Sequence, residues 1–349
     1  MNAVPREHLI GTPPTRELNV SNHLIGTPPM RELSVSNHLL GNRAALDAAW
    51  DRDGYWFFRD VLDKNAIARV RAIYLRVLDR LGVIDPSRTD AAVYNGASLE
   101  NFPIVMGGDP AIDPLLALHP MRQFVAEPAI ESFFAQLFGD EVFWVPNTEY
   151  HTLPPNPKHS GSRFNYVHAD GANNKGLPLR ICWIPLAPID EPTGGLALAE
   201  GLHKPRMNDF PRPPQGIGQD VVPPDAWRRA EFQPGDLLMF SLETPHSGLA
   251  NLSDRYFRLS MDIRGMRKSD NIPVIGKVVA LDQNAVTVAD DDGKKHTFRL
   301  NEDTFCRIAR GRLSGMPLLL EEIPRLVKIG DPVYVASNRG TATFIRPQH

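Results

Sequence analysis

The side chains with the clearest chemical potential are two histidines and an aspartate. His168 and Asp170 stand two positions apart in a segment that we interpret as extended. On an extended strand such side chains leave the same face, so a neutral imidazole and a carboxylate could bind one metal ion there. We expect His246 to be the third ligand. It follows a turn and a predicted strand, and should lie at or just past the end of that strand.

Two histidines and one carboxylate favour a particular metal chemistry. They leave half of the positions of an octahedral ion open, which is the arrangement of non-haem iron(II) oxygenases. Zinc hydrolases can use the same residue types, but usually from a helical His-Glu-x-x-His motif, which this sequence lacks. A bare His-x-Asp pair belongs more often to a hydrogen-bond network, so the surrounding residues carry the argument.

Three arginines follow His246 at a distance from which one of them could return to the site. They are Arg255, Arg258 and Arg264. The planar guanidinium of one could hold a carboxylate by two hydrogen bonds, as 2-oxoglutarate requires while its keto acid end binds iron. For two of the three we expect surface ion pairs with the neighbouring aspartates.

Helices precede the strands that must position these residues. Apolar residues at every third or fourth position predict an amphipathic helix from Asp63 to Gly82, and a second helical stretch runs from His119 to Phe138. The predicted strands are Tyr55–Phe58, Val142–Pro146, Tyr150–Leu153, Leu179–Leu186, Asp236–Phe240 and Arg258–Ile263. This order predicts a mainly β fold, a sheet sandwich with flanking helices on one face.

The C-terminal part of the chain, residues 268–349, alternates like a small β-barrel. Strands are predicted within Pro273–Asp290, joined at Asp282-Gln-Asn284, and at Lys295–Leu300, Leu326–Val335 and Thr341–Ile345. We interpret it as an SH3- or OB-like barrel. Such barrels can bind oligonucleotides, but this one lacks a clustered arginine and aromatic face, which favours an accessory or oligomerisation module.

A 15-residue repeat opens the chain, because His8–Asn22 recurs as His23–Asn37 with two substitutions. Each copy contains Gly-Thr-Pro-Pro, and two copies are too few to bury a solenoid core. We therefore predict that residues 1–41 form a poorly ordered arm outside the fold. The alternative is a docking motif whose anchors are the Leu-Ile pair of each copy.

The amino-acid composition favours a packed globular protein and disfavours several classes of partner. Among 349 residues, 42% are apolar, 23% are charged and the net charge is −3, which favours a packed core and disfavours a basic nucleic-acid surface. Cys182 and Cys306 are too few for a disulfide framework, so we expect a reducing, cytoplasmic location. No apolar run approaches the length of a membrane span, and the first residues do not have the pattern of a signal peptide.

Between about Leu46 and Arg264 the sequence resembles the phytanoyl-CoA dioxygenase family. The resemblance rests on the order and spacing of several motifs. They are Asp53-Gly-Tyr-Trp-Phe-Phe-Arg-Asp-Val-Leu62, His168-Ala-Asp170, Cys182-Trp-Ile-Pro-Leu186, Pro192-Thr-Gly-Gly-Leu-Ala-Leu-Ala-Glu-Gly-Leu-His-Lys204, Gly235-Asp236, His246 and Arg258-Leu-Ser-Met-Asp262. It departs from the family at Ala199–Lys204, where relatives often have Pro-Gly-Ser-His.

The resemblance implies a double-stranded β-helix, or jelly roll, over residues 42–267, with iron(II), 2-oxoglutarate and O₂ as cofactor and co-substrates. It implies His168, Asp170 and His246 as catalytic iron ligands, and Arg258 as the anchor of 2-oxoglutarate. The step from His246 to Arg258 is long for the family, so Arg255 is a second candidate. Trp183 matches a tryptophan near the family's site, although core packing explains it equally well.

The expected function is hydroxylation of a small organic substrate, coupled to decarboxylation of 2-oxoglutarate to succinate and CO₂. Two alternatives stay open: a catalytically inactive jelly-roll binding protein, and a cupin-type hydrolase or isomerase that uses another metal. Beyond a small-molecule substrate we expect neither nucleic acid nor membrane as a partner. The substrate and the oligomeric state are not determined by the sequence.

Overall fold

The computed structural model describes residues 30–88, 91–99, 102, 119–145, 148–155, 167–173, 177–204, 222–302, 304–307, 317–318 and 320–347. The α-helices within these ranges are α1 (Arg43–Asp53), α2 (Lys64–Arg80), α3 (Pro120–Val125), α4 (Pro128–Phe138) and α5 (Ile323–Leu326). The strands before Lys268 are β1 (Arg31–Glu32), β2 (Tyr55–Phe58), β3 (Val142–Trp144), β4 (Glu149–Leu153), β5 (Arg180–Pro185), β6 (Gly195–Ala199), β7 (Trp227–Arg229), β8 (Leu237–Ser241), β9 (His246–Leu249) and β10 (Arg258–Arg267). Those after it are β11 (Val274–Leu281), β12 (Ala285–Ala289), β13 (Lys295–Arg299), β14 (Phe305–Arg307), β15 (Pro317–Leu318), β16 (Pro332–Asn338) and β17 (Thr341–Pro347).

Two sheets form the jelly roll that the family resemblance implied. The larger sheet has the order β2-β8-β5-β10-β3, with β4 also paired to β10, and the smaller has the order β1-β7-β6-β9. The long strand β10 is central because it pairs with β3, β4 and β5. Its alternate residues therefore face either the helices or the space between the two sheets.

The helices cover one face of the larger sheet. Ile67, Val70 and Phe134 from α2 and α4 pack with Met261 and Ile263 of β10 in one buried cluster. Helix α2 begins where the Asp63 carboxylate accepts hydrogen bonds from the Asn65 and Ala66 amides. The mainly β fold with flanking helices is confirmed. The predicted helix from His119 to Phe138 is instead two helices, α3 and α4, because Pro128 lacks the amide that a continuous helix would need.

An apolar cluster that we call the inter-sheet core fills the space between the sheets and continues into the C-terminal barrel. Trp183, Leu198 and Phe240 contribute from the jelly roll, and Tyr334 and Phe344 contribute from strands β16 and β17. The C-terminal strands therefore share buried surface with the jelly roll.

The C-terminal region is a closed five-stranded barrel. Its ring runs β11-β12-β13-β17-β16 and returns to β11, and β14 and β15 extend it beyond β17. The barrel prediction is confirmed, with one difference. Leu326–Val335 is not one strand, since residues up to Leu326 form α5 and the strand starts only at Pro332.

Part of the predicted arm is ordered against the jelly roll. Strand β1 pairs in parallel with β7, Leu33 is buried, and the Asn37 side chain both donates to and accepts from the backbone of Arg59. The expectation of a poorly ordered arm is therefore wrong for residues 30–41, because the sheet edge and Arg59 offer partners that the sequence alone does not reveal. Residues 1–29 lie outside the described residues.

Among the described residues, no helix combines the length and the apolar composition needed to cross a membrane.

Candidate metal centre and oxygenase pocket

His168 and His246 are neighbours, although they are far apart in the chain. The His168 amide donates to the His246 carbonyl oxygen at 3.0 Å, and the His246 amide donates to the His168 carbonyl oxygen at 2.8 Å. The centroids of the two imidazole rings are 4.2 Å apart. This antiparallel bridge fixes both rings at the beginning of β9.

Asp170 completes the predicted triad, but it is not on a strand. It begins a 3₁₀-helix, Asp170–Asn173, where the Gly171 amide donates to the Leu242 carbonyl oxygen and the chain turns. Asp170 Oδ1 nevertheless lies 3.7 Å from His168 Nε2. The ligand atoms of His168, Asp170 and His246 are all within 4.8 Å of one another, close enough to share one metal ion.

His246 is prepared to act as a neutral ligand. Burial and the adjacent His168 lower the pKa of His246 to about 3, so its imidazole is uncharged at neutral pH. Its Nδ1 lies 3.0 Å from the carbonyl oxygen of Thr244, which can only accept a hydrogen bond. Nδ1 therefore carries the proton, and the lone pair of Nε2 is left for a metal.

Asp170 is held as a carboxylate. Burial raises the pKa of Asp170, but Arg264 and the two histidines outweigh burial, and this pKa lies well below its ordinary value. Arg264 Nη2 donates to Asp170 Oδ2 at 2.9 Å, and Arg264 Nη1 lies 3.5 Å from Glu149 Oε1. One carboxylate oxygen thus binds the guanidinium while the other faces His168.

Arg258, the predicted anchor, lines the same pocket. It is 3% exposed, and its Nη1 donates to the carbonyl oxygens of Gly195 and Leu249. Burial lowers the pKa of Arg258 to about 10, which still leaves it a cation at neutral pH. Arg258 Nε and the hydroxyl of Ser260, two residues along β10, make no hydrogen bond within the described part of the chain. Of the two residues, Arg258 lines the pocket, so its Nε is available to a polar ligand there.

The pocket combines these groups with an apolar wall. Its lining residues are Glu149, His151, His168, Asp170, Trp183, Leu196, Phe240, His246, Gly248, Arg258, Asp262 and Arg264. The metal-binding candidates and the predicted carboxylate anchor therefore face one cavity inside the jelly roll.

A family model for phytanoyl-CoA dioxygenase (PhyH) matches residues 50–260. The chain belongs to the phytanoyl-CoA dioxygenase family. The match includes His168, Asp170, His246 and Arg258, and it places this family member among the oxygenases, which are enzymes.

Curated relatives of this family member include two bacterial hydroxylases. It is 30% identical over 242 residues to the 1-deoxypentalenic acid 11-beta-hydroxylase of Streptomyces arenae, and 28% identical over 245 residues to the enzyme of the same name from Streptomyces exfoliatus. Each alignment covers 64% of this chain and 81% of the relative.

Solved structures with a similar fold include two proteins whose descriptions mention 2-oxoglutarate or alpha-ketoglutarate. One is EctD from S. alaskensis with 2-oxoglutarate and 5-hydroxyectoine, at 16% identity and a TM-score of 0.48, covering 70% of this chain and 83% of the other. The second is the non-haem alpha-ketoglutarate-dependent epimerase SnoN from nogalamycin biosynthesis, at 23% identity and a TM-score of 0.44, covering 65% and 82%.

Two other predicted residues have different positions in this phytanoyl-CoA dioxygenase family member. Trp183 lines the pocket and also packs edge-on against Phe232, with ring centroids 4.7 Å apart. Arg255 is exposed, lies over the ring of Tyr256 and does not reach the pocket. Arg255 lies in the loop before β10, because that strand starts only at Arg258.

The sequence did not predict a group of charged residues that line the pocket. We call this group the charged floor, and it consists of Glu149, His151, Asp262 and Arg264. Surface ion pairs with Asp254 and Asp262 were expected for two of the three arginines, yet Arg264 and Asp262 are both buried, and His151 Nε2 lies 3.0 Å from Asp262 Oδ2. Glu149, His151 and Asp262 form a second group whose potential ligand atoms lie within 4.8 Å of one another. The available signal was the alternation Arg258-x-Ser-x-Asp-x-Arg264, which places all four side chains on one face of a strand.

Proposed function

We propose that this family member is a non-haem iron(II)- and 2-oxoglutarate-dependent oxygenase that hydroxylates a small organic substrate. The observation that carries the proposal is the convergence of His168, Asp170 and His246 in one pocket that also contains the buried Arg258. Two nitrogens and one carboxylate oxygen suit iron(II), and they leave positions open for a co-substrate and O₂.

The residues fit 2-oxoglutarate as well as iron. Arg258 Nε and the Ser260 hydroxyl are both buried and lack a hydrogen-bond partner within the described residues. A carboxylate of the co-substrate in the pocket would accept a hydrogen bond from Arg258 Nε and offset the buried positive charge. The opposite, keto acid end would then reach the metal that His168 and His246 hold.

Each residue of the site has a separate role in this scheme. When bound, iron supplies the chemistry that couples reduction of O₂ to oxidation of the co-substrate and of a substrate C–H bond. His168 and His246 would bind it through ring nitrogens, His246 as a neutral imidazole, and Asp170 would supply the negative charge. Trp183, Leu196 and Phe240 form an apolar wall that excludes water from the reacting groups.

The chemistry of the relatives supports a small organic substrate. The curated relatives are named for hydroxylation of 1-deoxypentalenic acid, and one structural neighbour is named as an epimerase. We propose hydroxylation as the outcome for this chain, since both curated relatives carry that name.

The test is a 2-oxoglutarate decarboxylation assay on the iron(II)-loaded full chain with a panel of small metabolites. Succinate formation that requires iron(II) and O₂, together with a substrate product heavier by one oxygen atom, is the expected result. His168→Ala, Asp170→Ala and His246→Ala should each abolish succinate formation, whereas the exposed Arg255→Gln should not. A chain that binds zinc or manganese in preference to iron and releases no succinate would instead favour a cupin-type hydrolase or isomerase. Binding of a metabolite without turnover would favour an inactive binding protein.

A further inference from the structure

Asp262 has a buried carboxylate oxygen to which the proposed function gives no partner. The residue is 8% exposed and lines the pocket. Its Oδ2 lies 3.0 Å from His151 Nε2, whereas its Oδ1 makes no hydrogen bond within the described part of the chain. Buried polar atoms are nearly always hydrogen-bonded, so Oδ1 is available to a donor that a ligand brings into the pocket.

Asp262 is close to the groups that take part in the proposed reaction. Arg258, Asp262 and Arg264 lie on one face of β10, because even numbers of residues separate them. Arg258 is the proposed anchor of 2-oxoglutarate, and Arg264 donates to the proposed metal ligand Asp170 at 2.9 Å. A ligand bound at Asp262 therefore lies beside the co-substrate and the metal, where an oxygenase needs its substrate.

The neighbours of Asp262 in the larger sheet suit a cation. Its partner across the ladder is Glu149 on β4 and Trp183 on β5. Such cross-strand partners have Cβ atoms about 4.5–5.5 Å apart, and both of these side chains line the pocket. A second carboxylate and an indole ring both attract a protonated amine, the indole through a cation–π interaction.

The charges that line the pocket favour a cationic ligand over an anionic one. The lining carboxylates are Glu149, Asp170 and Asp262, and the lining arginines are Arg258 and Arg264. In the proposed function 2-oxoglutarate neutralises Arg258, while Arg264 is shared between Asp170 at 2.9 Å and Glu149 at 3.5 Å. Asp262 then has no arginine partner within the described residues. A substrate carboxylate would face like charges there, whereas an ammonium group offsets one of them.

An ammonium ion fits this group better than a metal ion does, although the potential ligand atoms of Glu149, His151 and Asp262 lie within 4.8 Å of one another. A carboxylate only accepts hydrogen bonds, so its contact with Asp262 places a proton on His151 Nε2. That proton occupies the lone pair that a metal would need. The guanidinium of Arg264, 3.5 Å from Glu149, also repels a divalent ion more strongly than a monovalent one.

We propose that the substrate carries a protonated amine, and that Asp262, Glu149 and Trp183 bind it. The amine donates a hydrogen bond to Asp262 Oδ1, lies beside the Glu149 carboxylate and contacts the indole ring. These residues determine specificity, because they decide which C–H bond of the substrate is presented to the metal. The inference rests on the proposed function, since it takes this pocket to be the place of oxidation. The family match ends at residue 260 and assigns nothing to Asp262.

Binding of matched small molecules to the full chain tests this proposal without turnover. The probes have a cyclohexylmethyl or an n-hexyl skeleton, and each skeleton is used with an ammonium, a hydroxyl or a carboxylate end. Calorimetric titrations are carried out without O₂ on the chain loaded with iron(II) and 2-oxoglutarate. The ammonium probes are expected to bind roughly 10- to 150-fold more tightly than the hydroxyl probes, the range that a hydrogen bond to a charged group provides. The carboxylate probes should bind most weakly.

Substitutions in the subsite separate recognition of charge from a change of shape. Asp262→Asn keeps the size of the side chain and should weaken the ammonium probes roughly 10- to 150-fold. The hydroxyl probes should stay within about twofold of the wild type. Glu149→Gln should act in the same direction by a smaller factor, because Arg264 shares that carboxylate. Asp292→Asn makes the same change at an exposed position of the barrel and should have no effect.

Several results would overturn the proposal. They are equal affinity for the three end groups, tightest binding of the carboxylates, and no binding of either ammonium probe. An equal loss for every probe in Asp262→Asn also contradicts it, because that pattern indicates a change of shape. Two iron(II) ions per wild-type chain and one per Asp262→Asn chain would assign the group to a metal instead. Thermal melting shows whether each variant is folded, and if Asp262→Asn is not, the wild type and Glu149→Gln decide the question.

The outcomes also distinguish this inference from the proposed function. If succinate forms with iron(II) and O₂ but the ammonium probes are not preferred, only the inference fails. If the wild type and His246→Ala give identical iron(II) titrations, the proposed function fails. The preference for ammonium and its loss in Asp262→Asn can then still be measured on the metal-free chain.

Discussion

Arg258 Nη1 donates a hydrogen bond to the carbonyl oxygen of Gly195 at 2.5 Å, from the central strand of the larger sheet to the first residue of β6 in the smaller one. This contact joins the two sheets of the jelly roll beside the pocket. It also restrains the guanidinium group, whose Nε has no hydrogen-bond partner within the described residues. A side chain held in this way is prepared to bind a carboxylate without losing further freedom.

Substitution of Arg258 should mainly affect 2-oxoglutarate. Hydrogen bonds to charged groups contribute about 1.5–3 kcal/mol, so Arg258→Gln is expected to lower kcat/KM for 2-oxoglutarate roughly 10- to 150-fold. Arg258→Lys keeps the charge but not the two-point geometry and should fall between Gln and the wild type. Steady-state kinetics with varied 2-oxoglutarate measure the effect. Arg255→Gln is the control, and an equal loss in that variant would show that the anchor has been assigned to the wrong arginine.

The residue before this contact should tolerate no side chain. Gly194 has φ of +96°, and a Cβ there would lie 2.6 Å from the carbonyl oxygen of Ala250. Gly82 also has a positive φ, +69°, but a Cβ there would meet nothing within 4 Å. Chemical denaturation should therefore give a loss of about 1 kcal/mol for Gly82→Ala and a clearly larger loss for Gly194→Ala. Equal losses would mean that backbone conformation, and not the contact with Ala250, dominates at Gly194.

The triad could be predicted from sequence because its residue types are specific and their order is informative. His168, Asp170 and His246 need only be of the right kind and near strand ends. The charged floor could not be predicted, because it depends on the pairing register of β4 with β10. That register places Glu149 opposite Asp262 and His151 opposite Ser260, and no local pattern reveals it. Charged residues are also buried so rarely that surface ion pairs were the expectation for two of the three arginines after His246.

The pairing of His151 with Asp262 should make stability depend on pH. Burial lowers the pKa of His151, but Asp262 and Glu149 outweigh burial and raise it above 6.5, the ordinary value. A raised histidine pKa stabilises the fold fully below pH 6.5, and this contribution is lost as pH rises through the folded-state value. The difference in unfolding free energy between the wild type and His151→Gln should therefore be largest near pH 6 and smaller near pH 9. In the Asp262→Asn background the pH dependence of that difference should shrink, and a difference that grows with pH would contradict the assignment.

A substitution in the barrel should destabilise the jelly roll. Phe344 is fully buried in the inter-sheet core and lies 5.4 Å from the ring of Tyr334. Phe344→Ala is expected to cost about 3–5 kcal/mol. All five tryptophans precede Lys268, so tryptophan fluorescence reports unfolding of the jelly roll alone. Its unfolding midpoint should fall in Phe344→Ala and stay unchanged in Ile329→Ala, where the side chain is 69% exposed. An unchanged midpoint in Phe344→Ala would show that the two parts unfold independently.

The first copy of the N-terminal repeat should be able to replace the second copy, part of which is ordered against the jelly roll. Arg16–Gly26 and Arg31–Gly41 differ at only two positions, and the second segment is the one that pairs with β7 and buries Leu33. We therefore expect the first copy to take its place if the second is damaged. The chain would then have to close an additional loop of about 15 residues, and the loop-closure entropy makes this only moderately unfavourable. Leu33→Ala alone should destabilise the chain by less than the roughly 2–5 kcal/mol usual for a buried leucine. Adding Leu18→Ala should then cost much more than Leu18→Ala costs in the wild-type background, which equilibrium denaturation of the four chains measures. Additive effects of the two substitutions would mean that the copies are not interchangeable and that only the second contributes to the fold.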